Sequence, residues 1–414
     1  MIKKIILGIG LLFSAAIFAQ EGTASPYSFY GIGDVKFKGT AETSAMGGLG
    51  VYPDSIHLNL QNPASYASLK LTTLALGGSY KQTTFKTNTQ TENARRSQID
   101  YMVLGIPMGK FGAVIGLMPF SSVGYKIKTI NETAGSKNFK GNGDINKIFM
   151  GGAYKYNQNW SFGLDLNYHF GQIETTNEIF LDNIQYGTRE LNTSSVSGLN
   201  INTGVSFTQK IKNKYDFFGS FTFTPESNLK LTNTRKIATV KYSTITDGIP
   251  IDENDIAVAN TTVKLPNTVA IGAGFGVNKK WMVGAEINLQ SLNNFGNRFT
   301  DISNVGYENA KKYSIGGFYI PKYNSFTNYF DRIVYRAGLR FENTGLVISN
   351  QSITDKAVTV GLGLPVGGRL SNINFSAEFG QRGTTTANLI EENYINFRIS
   401  LSLSDLWFVK SKYD

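Results

Sequence analysis

The stretch WSFGLDLNYHFG, residues 160–171, constrains this chain more than any other. Trp160, Phe162, Leu164, Leu166, Tyr168 and Phe170 fall on one face, and Ser161, Gly163, Asp165, Asn167, His169 and Gly171 on the other. Alternation with period two marks an extended strand whose faces meet different surroundings. The pattern recurs. WMVGAEINLQ sets Trp281, Val283, Ala285, Ile287 and Leu289 on one side. INFSAEFG opposes Ile373, Phe375, Ala377 and Phe379 to Asn374, Ser376, Glu378 and Gly380. YINFRISLSL opposes Ile395, Phe397, Ile399, Leu401 and Leu403 to Asn396, Arg398, Ser400 and Ser402.

A soluble sandwich alternates too, but these segments reach the about 9–11 residues that a strand needs to cross a bilayer. Aromatics gather at their ends: Tyr154, Tyr156 and Trp160 around one turn, Trp281 at another, Trp407 and Phe408 at the last. Outer-membrane barrels carry such girdles. Lipid offers no partner to an open strand edge, so the sheet must close. The sequence therefore predicts an all-β fold, a transmembrane antiparallel barrel of about fourteen strands starting near Leu69. Tight turns are expected at 108–110, 157–159, 212–214, 278–280 and 367–371. Longer polar loops are expected near 88–97, 129–143, 182–192, 232–261, 294–309, 343–355 and 382–392. The link Pro321–Phe330 breaks the alternation, being long where a tight turn is due. Short turns on one rim and long loops on the other place both termini in the periplasm.

The gross composition agrees. Glycines number 44, aromatics make up 13% of the 414 residues, and charged residues only 17%. Lys3 and Lys4 precede an apolar run, Ile5 to Ala19, which reads as a signal peptide over 1–19. There is no cysteine, so sheet and core must hold an exported chain together without disulfides. The formal charge of +10 comes from scattered lysines and arginines, which argues against nucleic acid and leaves two accounts, loops facing anionic lipid, lipopolysaccharide included, or ordinary solvated loop charge. No metal-ligand spacing, catalytic constellation or cofactor motif stands out: His57 lies in a loop and His169 on a polar strand face.

Residues 20–68 are too polar to span lipid and rich in glycine. They precede the first strand, and a lumen this wide must be filled. The segment reads as a hatch folded into the lumen, followed by a barrel over 69–404 and a basic periplasmic tail over 405–414. Its stretch SAMGGLGVYPDSIHLNLQNPASYASL resembles the amino-terminal hatch of the FadL-type outer-membrane transport family at Ser44, Gly47, Gly48, Asn62, Pro63 and Ala64. KLPNTVAIGAGFGVNKKWMVGAEINL is similar to a second signature, through Leu265, Pro266, Gly272, Trp281 and Glu286. GLMPFSSVGY is similar to the family's broken third strand, with Ser121 where glycine is usual.

The resemblance implies a fourteen-stranded barrel that passes fatty acids or similar apolar molecules by hatch movement and lateral opening at a kinked third strand. Here that strand would be Phe111–Lys128, with Gly116, Pro119 and Phe120 at the opening. Independently, Pro119 removes a ladder donor inside a strand. Gly272 and Gly274 offer space in the lumen. Arg332, Arg336 and Arg340 are expected on one polar face with Glu342, to receive a carboxylate head group or pair with the hatch. The function expected first is passive uptake of hydrophobic compounds or lipids; the second is a barrel subunit of an outer-membrane secretion or assembly complex, with a protein partner.

Overall fold

The computed structural model describes residues 22–131, 135–182, 184–241, 248–292, 295–298, 304–366 and 371–405. The signal peptide and all of the tail beyond Asp405 lie outside them. Fourteen antiparallel strands make one closed sheet. They are β1 (Thr72–Lys86), β2 (Thr91–Met108), β3 (Phe111–Asn131), β4 (Gly135–Lys155), β5 (Trp160–Phe180) and β6 (Tyr186–Ile211). β7 runs as Tyr215–Thr224 and Ser227–Lys241, and β8 as Ile249–Ile256, Thr261–Leu265 and Asn267–Val277. β9 (Trp281–Ser291), β10 (Val305–Tyr307 and Ala310–Tyr319), β11 (Val334–Ile348), β12 (Gln351–Val366), β13 (Ser371–Arg382) and β14 (Glu391–Asp405) complete the wall. β14 pairs with β1 from Asp405↔Thr72 to Glu391↔Lys86, which closes the cylinder.

The two faces are sorted inside out. On β5, Phe162, Leu164, Leu166, Tyr168 and Phe170 are exposed, whereas Ser161, Asp165, Asn167 and His169 are buried. A continuous apolar face around a closed barrel is what lipid favours, so this face is the membrane face. The buried core lies within the cylinder. Leu58, Leu60, Tyr66 and Leu69 of the leading segment pack with Tyr101, Val103, Val114, Met118 and Phe149. Met46, Leu49 and Val51 pack with Phe218 and Met282.

Several expected loops are strand. β2 begins at Thr91, β3 runs to Asn131, β4 resumes at Gly135 and β6 begins at Tyr186. β11 and β12 join through Ser349 and Asn350 alone, both at positive φ, as a two-residue hairpin turn requires. β3, β4 and β5 each have 21 residues and β6 has 26, about twice what a bilayer demands. Their upper halves run past that length, and their inner face still buries Val123, Tyr125, Ile145, Ile173 and Val196. Long links are present at 383–390 and at Ile320–Ile333, the latter where the sequence pattern placed its exception.

Candidate functional site

The leading segment is built from short local signals. Asn62 caps the turn Pro63–Ser68 by accepting from the Ala64 N–H at 3.0 Å, and proline at the first position costs no hydrogen bond. Asn62 Nδ2 also donates to the Val205 carbonyl at 3.0 Å. This turn sits on wall glycines. A Cβ at Gly163 would lie 2.4 Å from Ala64 N, one at Gly204 2.2 Å from Asn62 Oδ1, and one at Gly112 2.1 Å from the Tyr66 carbonyl oxygen. The helix Ala41–Ser44 ends in Gly47 and Gly48, with φ of +70° and +82°. Gly47 N–H donates to Thr359 Oγ1 at 2.9 Å, and a Cβ at Gly338 would meet Gly47 N at 2.3 Å. Backbone therefore rests on backbone at two seats.

Gly272 takes the same part, since its Cβ would lie 2.2 Å from Val51; Gly274 also borders Val51, at 3.3 Å. Arg336 is buried and donates to Asn374 Oδ1 at 3.1 Å. Asn374 in turn donates to Glu42 Oε1 of the segment at 2.7 Å. Arg340 bridges Glu342, Asp355 and Glu378 at 2.9, 3.3 and 2.7 Å. Arg398 meets Glu378 at 2.7 Å and donates to Ser44 Oγ. These arginines are already engaged with wall carboxylates and amides, which fits pairing better than capture of a head group. Arg332 must be corrected. It lies in the turn Phe330–Arg332 below β11 and stacks over Tyr329. Its spacing matched a strand face, but the chain has already left the sheet there.

The third strand does break. The β2–β3 ladder stops at Met102↔Leu117, two residues before Pro119. The β3–β4 register then shifts between Pro119 and Ser121, which extrudes Phe120 against the His169 ring with centroids 4.4 Å apart. Gly116 lies below the break, where a Cβ would meet Phe149 and Val103 at 2.8 Å. Above it, the leading segment takes the vacant place beside β3. Asp34 pairs with Ser122 and Val35 with Ser121, and Lys36 N–H donates to the Phe120 carbonyl at 2.9 Å. Arg382 fixes Asp34 from behind at 2.7 Å. Sequence reasoning missed Asp34, Val35 and Lys36; the alternation of Val35 with Phe37 was the available hint.

At the rim bearing the chain ends, His57 Nδ1 and Asp54 Oδ2 lie 2.7 Å apart. Burial disfavours charge on both, but their mutual attraction prevails, holding Asp54 below and His57 above the ordinary range. The pair is a structural clasp.

A closed antiparallel barrel of fourteen strands with its apolar face outward has the FadL-type fold, multi-pass in the bacterial outer membrane. Solved structures share the fold. The Ralstonia pickettii toluene transporter TbuX is 12% identical over 89% of this chain and 99% of its own, with a TM-score of 0.59. The Pseudomonas putida toluene transporter TodX is 14% identical over 90% and 98%, with a TM-score of 0.57. A Pseudomonas aeruginosa FadL homologue is 11% identical over 89% and 98%, with a TM-score of 0.56. No curated protein matches the sequence. A family profile, BamG, matches residues 1–414, and the chain belongs to the BamG family.

Proposed function

We propose that this barrel is a subunit of an outer-membrane assembly complex that uses the FadL-type fold as a platform. Membership of the BamG family supports this reading, and fold alone does not assign a channel function. The structural observation that carries it is the rim link Ile320–Ile333. Phe326 is 100% exposed, and Phe330 and Tyr323 are also exposed. A polar frame centred on Asp331 holds these rings outward. Asp331 accepts from Ser325 Oγ at 3.2 Å and Asn328 Nδ2 at 3.1 Å, its carbonyl accepts from Lys322 N–H at 2.8 Å, and Tyr329 donates to the Pro365 carbonyl at 3.0 Å. Ordered aromatics presented to the outside are the usual mark of a contact surface. The double variant Phe326→Asp/Phe330→Asp should assemble as a normal barrel yet lose its stoichiometric partner on affinity purification from solubilised outer membrane. Undiminished recovery of that partner would count against the platform role.

A second reading is passive passage of hydrophobic small molecules, with residues 20–68 as hatch, 69–404 as barrel and 405–414 as periplasmic tail. The interrupted β2–β3 ladder supports it, because Pro119 and Phe120 border, just above Gly116, a seam that Asp34, Val35 and Lys36 cover. In a chain without cysteine, the paired residues Val35→Cys and Ser121→Cys would form a lock. Uptake of an apolar dye into whole cells should then stop and return on reduction. Uptake indifferent to the lock would exclude this route.

A further inference from the structure

Between the leading segment and the inner wall lies a chamber of about 380 Å³ that neither reading explains. A passage for hydrocarbon would be lined by apolar side chains. One side of this chamber is instead formed by Lys38, Lys147, Asn167, His169, Asn200 and Asn202. We propose that it binds a phosphate group carried on a hydroxyl-rich molecule.

The charges point to the phosphate. Lys147 is 5% exposed; among the described residues neither its ammonium nor that of Lys38 has a hydrogen bond or a carboxylate within 4.0 Å, and Lys147 Nζ lies over the Phe149 ring at 5.8 Å. Asp165, which accepts from Asn202 Nδ2 at 3.2 Å, is near enough to attract both ammoniums, so two cations share one carboxylate. Across the chamber Glu286 accepts from Gly50 N–H at 3.0 Å, and Arg340 has its own carboxylates. Two enclosed cations sharing one carboxylate leave an uncompensated positive charge that an anion would relieve. Lysine acts as a point charge with rotatable donors and suits a tetrahedral phosphate, whereas the flat two-pronged match to a carboxylate belongs to arginine.

The unpaired polar atoms point to the hydroxyls. Asn167 Oδ1 and Gln61 Oε1 are buried without a hydrogen bond, and the His169 ring, which has Asn200 as its neighbour, offers one further donor or acceptor. Buried polar atoms in folded proteins are nearly always paired, so a group that supplies O–H donors completes this wall. The chamber is also lined by Val35, Pro119 and Phe120. It therefore borders the seam, and the phosphate has two possible sources: a lipid head group whose tails remain in the bilayer, or a soluble phosphate ester.

The test uses the full-length barrel in detergent, stripped of lipid and titrated calorimetrically with glycerol 3-phosphate. Saturable binding is expected, with affinity falling about tenfold or more in Lys38→Met/Lys147→Met, as loss of charge-assisted hydrogen bonds implies. Asn200→Asp keeps both lysines but adds a repelling charge, and should also weaken binding; heat-modifiable migration shows that each variant is a folded barrel. Native mass spectrometry of wild type extracted directly from outer membrane separates the sources. A phospholipid or lipopolysaccharide retained by wild type and lost from the lysine variant identifies a head-group site, whereas glycerol-phosphate binding without retained lipid identifies a soluble ligand. Absence of saturable binding, or equal affinity in wild type and both folded variants, would overturn the proposal.

Discussion

Gly163→Val should drive the Asn62–Pro63–Ala64 turn off its seat while leaving the wall intact. The new Cβ alone would stand 2.4 Å from both Ala64 N and the Pro63 carbonyl carbon. Main-chain atoms fixed by a cap and a proline cannot step aside as a flexible side chain would. Overpacking costs about 1–3 kcal/mol in ordinary cores, more where the neighbours are rigid. The strand itself tolerates valine, which favours extended backbone. The strain is therefore relieved by moving the leading segment. Purified protein in planar bilayers should pass from quiet to frequently conducting, and protease should gain access to residues near the turn. Gly152→Ala is the matched control, because its Cβ would meet nothing within 4 Å. If Gly163→Val remains as quiet and as protease-resistant as wild type, the glycine seat does not hold the segment.

The second large effect is expected from Glu378→Ala. This buried carboxylate receives Arg340 and Arg398 at 2.7 Å each. Arg398 in turn holds Ser44 of the leading segment. Removing one partner from an enclosed ion cluster costs about 3–5 kcal/mol, because the remaining charge stays buried and unpaired. Arg340 retains Glu342 and Asp355, whereas Arg398 keeps Asp100 at a distant 4.0 Å, so the larger loss falls on Arg398 and on the helix Ala41–Ser44. Thermal unfolding in detergent should show a marked fall in midpoint, with hydrogen exchange rising first around residues 41–48. Glu378→Gln, which keeps the shape and one acceptor, should fall between the two. A midpoint unchanged in Glu378→Ala would mean that the cluster does not bind segment to wall.

The wall was legible where lipid and lumen impose opposite demands on neighbouring residues. Trp160 to Phe170 shows it best: lipid accepts the odd-one-out face that water would reject. Above the membrane that contrast vanishes. Thr129 stands opposite Lys137 across β3 and β4, in residues that read as loop because strand pairing uses backbone groups and leaves no trace in polar side chains. The Asn62–Pro63 turn was legible because a cap and a proline act locally. Asp34–Val35 was not, because a two-residue strand exists only through the distant edge that accepts it. Arg332 was misplaced because period-two spacing continues to look regular after the chain has turned away from the sheet.

The pairing of β14 with β1 also dictates an order of construction. The wall cannot be completed until the last strand arrives, and the first strand must wait for it across more than 300 residues of chain. Such distant pairing is slow to form. The leading segment enters the cylinder directly beside that final joint, so its cargo of buried side chains must be stowed before the joint is sealed or as it seals.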